Sequence, residues 1–140
     1  MPKFSDISLN KLATCHPDLI TLFNEVIKYF DCIILEGHRG MDAQEKAVAE
    51  GKSKLHWPHG KHNAMPSLAV DAAPYDTLLK VDWKDINRFY YFAGHVMGIA
   101  DILFAEGKIT HKLRYGGDWN KNTQVKDENF KDLGHFEIIL

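Results

Sequence analysis

The chain has 140 residues, 45% of them hydrophobic and 26% charged, with a formal net charge of −2. That length supports one domain with a single substantial core. The charge balance offers no basic footprint for nucleic acid, and no apolar run approaches a membrane span.

Met1-Pro2-Lys3-Phe4-Ser5-Asp6 lacks the apolar stretch of a secretion signal, so synthesis in a cytoplasm without a signal peptide is expected. A short helix is predicted over about Ser8 to Cys15. Leu19, Leu22, Phe23, Val26, Ile27 and Phe30 recur at helical spacing, which predicts an amphipathic helix from Pro17 to Tyr29. Pro17 suits its first turn, where a missing N–H costs nothing. Cys32-Ile33-Ile34-Leu35 reads as a buried strand ended by Gly37. Cys15 and Cys32 are the only cysteines. In such apolar segments buried free thiols are expected, with a disulfide as the alternative. Met41 to Glu50 reads as a short helix closed by Gly51.

Lys52 to Pro66 turns to Ser, Lys, His, Pro and Asn without a period, a long loop that is either functional or mobile. Leu68 to Ala73 resumes as a strand. Asp82 is the predicted N-cap of the next helix, with Val81 and Ile86 as its hydrophobic staple. Ile86, Phe89, Tyr90, Ala93, Met97, Ala100 and Phe104 keep helical phase to about Glu106. Gly94 and Gly98 make that helix weaker or closely packed. Leu113-Arg114-Tyr115 is a short strand before Gly116-Gly117-Asp118-Trp119, and Phe136 to Leu140 is the last. Helices mixed with short non-sequential strands indicate a single α+β domain with a mostly antiparallel small sheet and flanking helices.

Four residues carry the chemistry: His62, Asp71, Asp132 and His135. Two imidazoles and one carboxylate are the protein ligands of a hydrolytic zinc site, which leaves a fourth position for water. A carboxylate three residues before the last ligand is placed to act as general base. Alternation along Leu68–Ala73 puts Ala69, Asp71 and Ala73 on one face, where small neighbours leave room for a substrate, and Leu68 and Val70 on the core face. His135 and Glu137 alternate with Phe136 and Ile138 in the same way. Gly134 lets the turn from Asp132 to His135 be tight.

Other readings compete. His16, His95 and His111 are taken as surface or hydrogen-bonding histidines. A His56/His59/His62 metal cluster would leave Asp71 and the Asp132/His135 pair unexplained, so loop histidines such as His59 are expected to line the cleft instead. An unpartnered buried carboxylate is costly, so Asp71 must meet a cation or a metal, and an Arg39–Asp71 salt bridge is the simpler alternative. Arg39 could also pair with Glu36, and Trp119 could be core packing.

The residues resemble the zinc D-Ala-D-Ala peptidase and L-alanyl-D-glutamate peptidase family, which includes phage endolysins. The family signature Ser-x-His-x-x-Gly-x-Ala-x-Asp is matched by Gly60-Lys61-His62 and Ser67-Leu68-Ala69-Val70-Asp71. The chain departs from it at Gly60 and Ser67, and by two extra residues between His and Asp. Glu36-Gly37-His38-Arg39 resembles the segment with the family's catalytic arginine. Ala72-Ala73-Pro74-Tyr75 and Gly116-Gly117-Asp118-Trp119-Asn120 resemble segments of its phage branch.

The resemblance implies a Hedgehog/DD-peptidase-like fold, Zn²⁺ held by His62, Asp71 and His135, Asp132 as base and Arg39 as oxyanion stabiliser. Tyr115, Asp118, Trp119 and His59 would contact or shape the substrate site. Asn120-Lys121-Asn122 stands where relatives carry acidic residues, which argues against a second ion site there. The implied function is peptidoglycan stem-peptide hydrolysis at L-alanyl-D-glutamate by a monomeric phage or prophage endolysin. Such an enzyme reaches the wall through a lysis pore, without membrane insertion. The alternatives are a D-Ala-D-Ala carboxypeptidase or dipeptidase, and an inert wall-binding or virion component of the same fold.

Overall fold

The computed structural model describes residues 2–140. Its elements in chain order are α1 (Asp6–Leu12), α2 (Pro17–Val26), β1 (Cys32–Glu36), α3 (Met41–Ala49), β2 (Ala69–Pro74), α4 (Ile86–Ala105), β3 (Leu113–Tyr115) and β4 (His135–Ile138). A single 3-10 turn, Lys61–Asn63, interrupts the long loop before β2.

Local chemistry sets the helix starts. Ser5 caps α1, its hydroxyl accepting from Ser8 N at 3.2 Å. The first helix therefore begins and ends earlier than its apolar residues suggest. His16 caps α2 through Nδ1, which accepts from Asp18 N at 3.0 Å, and Pro17 occupies the first turn. Helix α2 stops at Val26, and Ile27 to Phe30 continue in single turns. The cap of α4 is Asp85, whose carboxylate accepts from Arg88 N at 3.1 Å. Asp82 instead closes a turn onto Lys84 N at 3.1 Å, so helical geometry begins after a second aspartate. Ile86 is exposed, so no staple with Val81 forms. A Cβ on Gly94 or Gly98 would meet nothing within 4 Å, which removes close packing as their reason.

The strands form one antiparallel sheet in the order β1-β2-β4-β3. Its core face presents Ile34, Val70, Ala72, Phe136 and Ile138 to α2 and α4. Phe23 of α2 and Phe92 of α4 meet Phe136 edge-on at ring-centroid distances of 5.7 and 6.2 Å. Leu19, Leu22 and Val26 complete the α2 side, as their spacing predicts. Cys15 and Cys32 are buried free thiols, each pushed up by burial, to about 11 and about 12.

The opposite face carries the polar side chains. Register places Asp71 opposite His135 and Arg114 opposite Glu137. A bulge between Ile34 and Glu36 brings Glu36 opposite Asp71, on the same face. Ala69 and Ala73 share that face but are fully buried, so they do not open substrate space as expected. Strand β4 starts at His135, one residue before the predicted start, and ends at Ile138.

Candidate metal centre and catalytic cleft

Asp71 sits mid-strand between two pairing partners, and its two oxygens face different groups. Oδ1 lies 3.1 Å from His62 Nε2 and 3.0 Å from His135 Nδ1. Oδ2 lies 3.5 Å from Arg39 Nη2. The salt bridge to Arg39 and the two-histidine cluster therefore coexist. His62, Asp71 and His135 offer ligand atoms that all lie within 4.8 Å of one another.

The far nitrogen of each imidazole fixes which nitrogen can bind a cation. His62 Nδ1 lies 2.7 Å from Gly37 O, a carbonyl that can only accept, so Nδ1 carries the proton. His135 Nε2 lies 2.9 Å from a Glu137 carboxylate oxygen, which likewise accepts. His62 Nε2 and His135 Nδ1, which meet at Asp71 Oδ1, are then the nitrogens that a metal would take. Outer acceptors that orient ligating imidazoles in this way are the usual companions of a zinc site. The donor set fits a divalent transition metal.

His62 owes its position to the 3-10 turn rather than to a loose loop. Arg39 N donates to His62 O at 2.8 Å, and Asn63 Nδ2 donates back to Arg39 O at 2.9 Å. These bonds lock Arg39 to the turn despite the two extra residues that follow. The Arg39 side chain is held by Gln44 Oε1 at 3.1 Å and by Glu36 at 3.6 Å.

Asp132 lies just outside the ligand group, its Oδ2 3.7 Å from His135 Nδ1. Burial, and then the negative charge of Asp71, push its carboxyl up to about 6. Burial would also raise Asp71, but the neighbouring imidazoles outweigh it and hold that carboxyl well below the usual range. Burial alone would lower His135, yet its bonds to Asp71 and Glu137 make it markedly more basic. Two carboxyls with environments pushing them apart mark an acid–base site.

Glycines bring Asp132 close to the His62, Asp71 and His135 group. The turn from Asp132 to His135 is tight, His135 N donating to Asp132 O at 3.1 Å, and a Cβ on Gly134 would lie 2.8 Å from Ala72 O, so the glycine also lets this turn approach β2. A Cβ on Gly116 would collide with the Asp132 carbonyl, and Gly116 O accepts from Asp132 N at 2.9 Å.

The cleft beside the cluster is walled by Arg39, Lys54, Arg114, Trp119 and Phe130. Trp119 stands 5.5 Å from the His135 ring and donates Nε1–H to Phe130 O at 2.7 Å. The other expected substrate contacts lie elsewhere. Tyr115 is buried, stacked on Phe136, and donates its hydroxyl to Leu133 O at 2.7 Å. Asp118 closes its own loop by accepting from Asn122 N and Thr123 N at 3.2 and 2.9 Å. His59 is exposed outside the cleft wall. His56 pairs with Glu45 at 2.7 Å, so His56, His59 and His62 do not converge.

Four further residues serve the site. Glu137 orients His135 and is itself gripped by Arg114 Nη2 at 2.9 Å. Its signal was visible, since positions two apart on a strand share a face. Gln44, Arg114 and Gly116 act through long-range contacts that leave no local pattern.

A second group, His16, Asp18 and His111, also brings ligand atoms within 4.8 Å. Here protein donors already satisfy the carboxylate. Asp18 Oδ2 accepts from Thr110 N and Thr110 Oγ1 at 3.0 Å each, and from His111 Nδ1 at 2.8 Å. The network ties α2 to the segment before β3 without needing an ion.

Comparison with known proteins places this geometry. The model of the phage L-alanyl-D-glutamate peptidase family matches residues 1–139. The chain belongs to that family. It is 30% identical to the L-alanyl-D-glutamate peptidase of Escherichia phage T5 over 148 aligned positions, covering 98% of each chain. The crystal structure of Serratia marcescens L-Ala D-Glu endopeptidase ChiX has the same fold, with a TM-score of 0.72 at 22% identity. That match covers 98% of this chain and 90% of the other. Family membership makes the chain a peptidase, and no described helix is long and apolar enough to cross a membrane.

Proposed function

We propose that this peptidase hydrolyses the L-alanyl-D-glutamate bond of peptidoglycan stem peptides, with Zn²⁺ held by His62, Asp71 and His135. The observation that carries this reading is the convergence of His62 Nε2, His135 Nδ1 and an Asp71 carboxylate oxygen within 4.8 Å of one another, with the Asp132 carboxylate 3.7 Å from His135. Bound zinc would supply Lewis-acid polarisation of the carbonyl and a more acidic water.

The chain's own groups divide the remaining work. Asp132, in its ionised form, accepts the proton of the attacking water and then delivers it to the leaving amine. Arg39, fixed by Gln44 and the 62–63 turn, supplies positive charge where the carbonyl oxygen becomes an anion. Glu137 and Gly37 O keep both imidazoles in the ligating tautomer. The biological setting that fits is a phage or prophage endolysin made in the host cytoplasm and acting on the wall as a monomer.

The test is digestion of defined muropeptides by protein of measured zinc content, with products weighed by mass spectrometry. Release of the stem at L-alanine, at one zinc per chain, is expected. Loss of only a C-terminal alanine would assign a carboxypeptidase, and intact muropeptides would assign an inert domain.

A further inference from the structure

We propose that Lys54 forms a carboxylate-binding subsite for the D-glutamyl residue and so sets the direction in which the stem peptide lies. This inference rests on the L-alanyl-D-glutamate reading above. Five cations line the cleft beside the metal cluster: Arg39, Lys52, Lys54, Lys61 and Arg114. Four of them have protein acceptors. Arg39 faces Glu36 and Asp71, Arg114 pairs with Glu137, Lys52 lies 3.2 Å from Glu50, and Lys61 Nζ donates to Ile138 O at 2.8 Å. Lys54 has neither a carboxylate nor a carbonyl partner among the described residues. Its ammonium lies 4.7 Å from the centre of the Phe130 ring.

That ring is one rung of a wall leading to the metal ligands. Phe130 stacks on Trp119 at 6.2 Å, and Trp119 lies 5.5 Å from His135. Aromatic faces hold a cation without neutralising it, leaving its charge available to an anion. The neighbouring loop is fixed as well, since the buried Gln44 donates to Ser53 Oγ at 3.0 Å and to Leu55 O at 2.6 Å. The same Gln44 holds Arg39, so the cation and the oxyanion donor share one brace.

The far side of Asp71 and Asp132 has the opposite character. A second depression there is lined by Leu35, Trp83, Phe89 and Leu133 beside the carboxylates of Asp71 and Asp132, with Lys131 its one cation. Asp132 borders both halves. The scissile bond has matching asymmetry. Its acyl side bears the alanine methyl group, and its amine side bears the free α-carboxylate of a glutamate extended through its γ-carboxyl. Methyl toward Trp83 and carboxylate toward Lys54 would lay the scissile bond across the border of the two halves, which Asp132 forms.

The experiment compares synthetic N-acetyl-L-Ala-D-Glu peptides, extended through the γ-carboxyl, with an α-carboxylate or an α-carboxamide. Zinc-loaded full-length protein should show a KM about fivefold lower for the carboxylate, the size expected of a solvent-accessible ion pair. Lys54→Met should abolish that preference with kcat unchanged, and Lys54→Arg should keep it. Equal KM values in the native protein, or a preference that survives Lys54→Met, would overturn the subsite. The D-glutamyl product peptide is also titrated into Asp132→Asn protein by calorimetry, in both α-forms. Lys54-dependent binding without cleavage at L-Ala–D-Glu would sink the proposed bond but keep the subsite. Cleavage there without Lys54 dependence would do the reverse.

Discussion

Replacing Glu137 by glutamine changes almost no volume yet should strip the centre of much of its metal affinity. The carboxylate bridges two donors at 2.9 Å, His135 Nε2–H on one oxygen and Arg114 Nη2–H on the other. A glutamine can still offer its amide oxygen to His135. Its NH₂ group then faces the guanidinium, donor against donor, and the remaining bond is no longer charge-assisted. The charge that makes the His135 lone pair a better donor is also lost. Outer partners of ligating histidines are worth about 10–100-fold in metal affinity or activity, roughly 1.4–2.8 kcal/mol. The assay is zinc competition against a chelating fluorophore, followed by kcat/KM at saturating zinc. Arg114→Met should cost less, because Arg114 is partly exposed and its loss leaves the carboxylate on His135. A Glu137→Gln protein that holds zinc within about threefold of the native value would refute this account of His135.

Asp132→Ala should retain zinc and lose hydrolysis by about 10²–10⁴-fold, because the base is not a ligand, and metal analysis with turnover on one sample checks both. Since Asp132 must be ionised to accept a proton, kcat/KM should rise with pH on its acid side and then level off, burial raising the carboxyl and bound zinc lowering it. An acid limb that persists unchanged in the residual activity of Asp132→Ala would remove Asp132 from the role. Gly116→Ala drives a methyl into the Asp132 carbonyl, so it should cost about 1–3 kcal/mol and slow turnover roughly 10²-fold, read by thermal unfolding and kinetics. Asp18→Ala removes the acceptor of three bonds far from the cleft and should cost about 2–4 kcal/mol with kcat intact. Burial would raise the Asp18 carboxyl, but its bonds to His111 and Thr110 outweigh this and hold it below its ordinary value. Its stabilisation is therefore complete above about pH 4 and fades as pH falls further, so native and variant melting temperatures should converge in acid.

What could be read from the chain was whatever depends on near neighbours. The apolar period of Leu19, Leu22, Phe23 and Val26, the strand Leu113–Tyr115 and the alternation that puts Asp71 opposite Val70 are local facts. The grouping of His62, Asp71 and His135 was legible because histidine and aspartate chemistry restricts what such a trio can be. Two aspartates three apart, Asp82 and Asp85, are equally good caps on paper, and only the Trp83–Lys84 turn decides between them. Tyr115, Asp118 and His59 do not line the cleft wall, a placement that a motif cannot give because it fixes proximity in sequence, not side-chain direction. Gln44 lies nineteen residues before Asn63 and Gly116 lies sixteen before Asp132, so their roles exist only after folding.

Strand β2 has a neighbour on each side, and its Asp71 with His135 of β4, as metal ligands, would clamp the middle of the sheet rather than its rim. An ion seated there would act as a rivet between segments sixty-four residues apart. Whatever tightens its seat resists unfolding, and whatever withdraws it loosens the whole domain. Free zinc at about a hundred times its dissociation constant would add about 2.7 kcal/mol of stability. For such a protein, chelators would soften the scaffold at the same moment that they silence the chemistry.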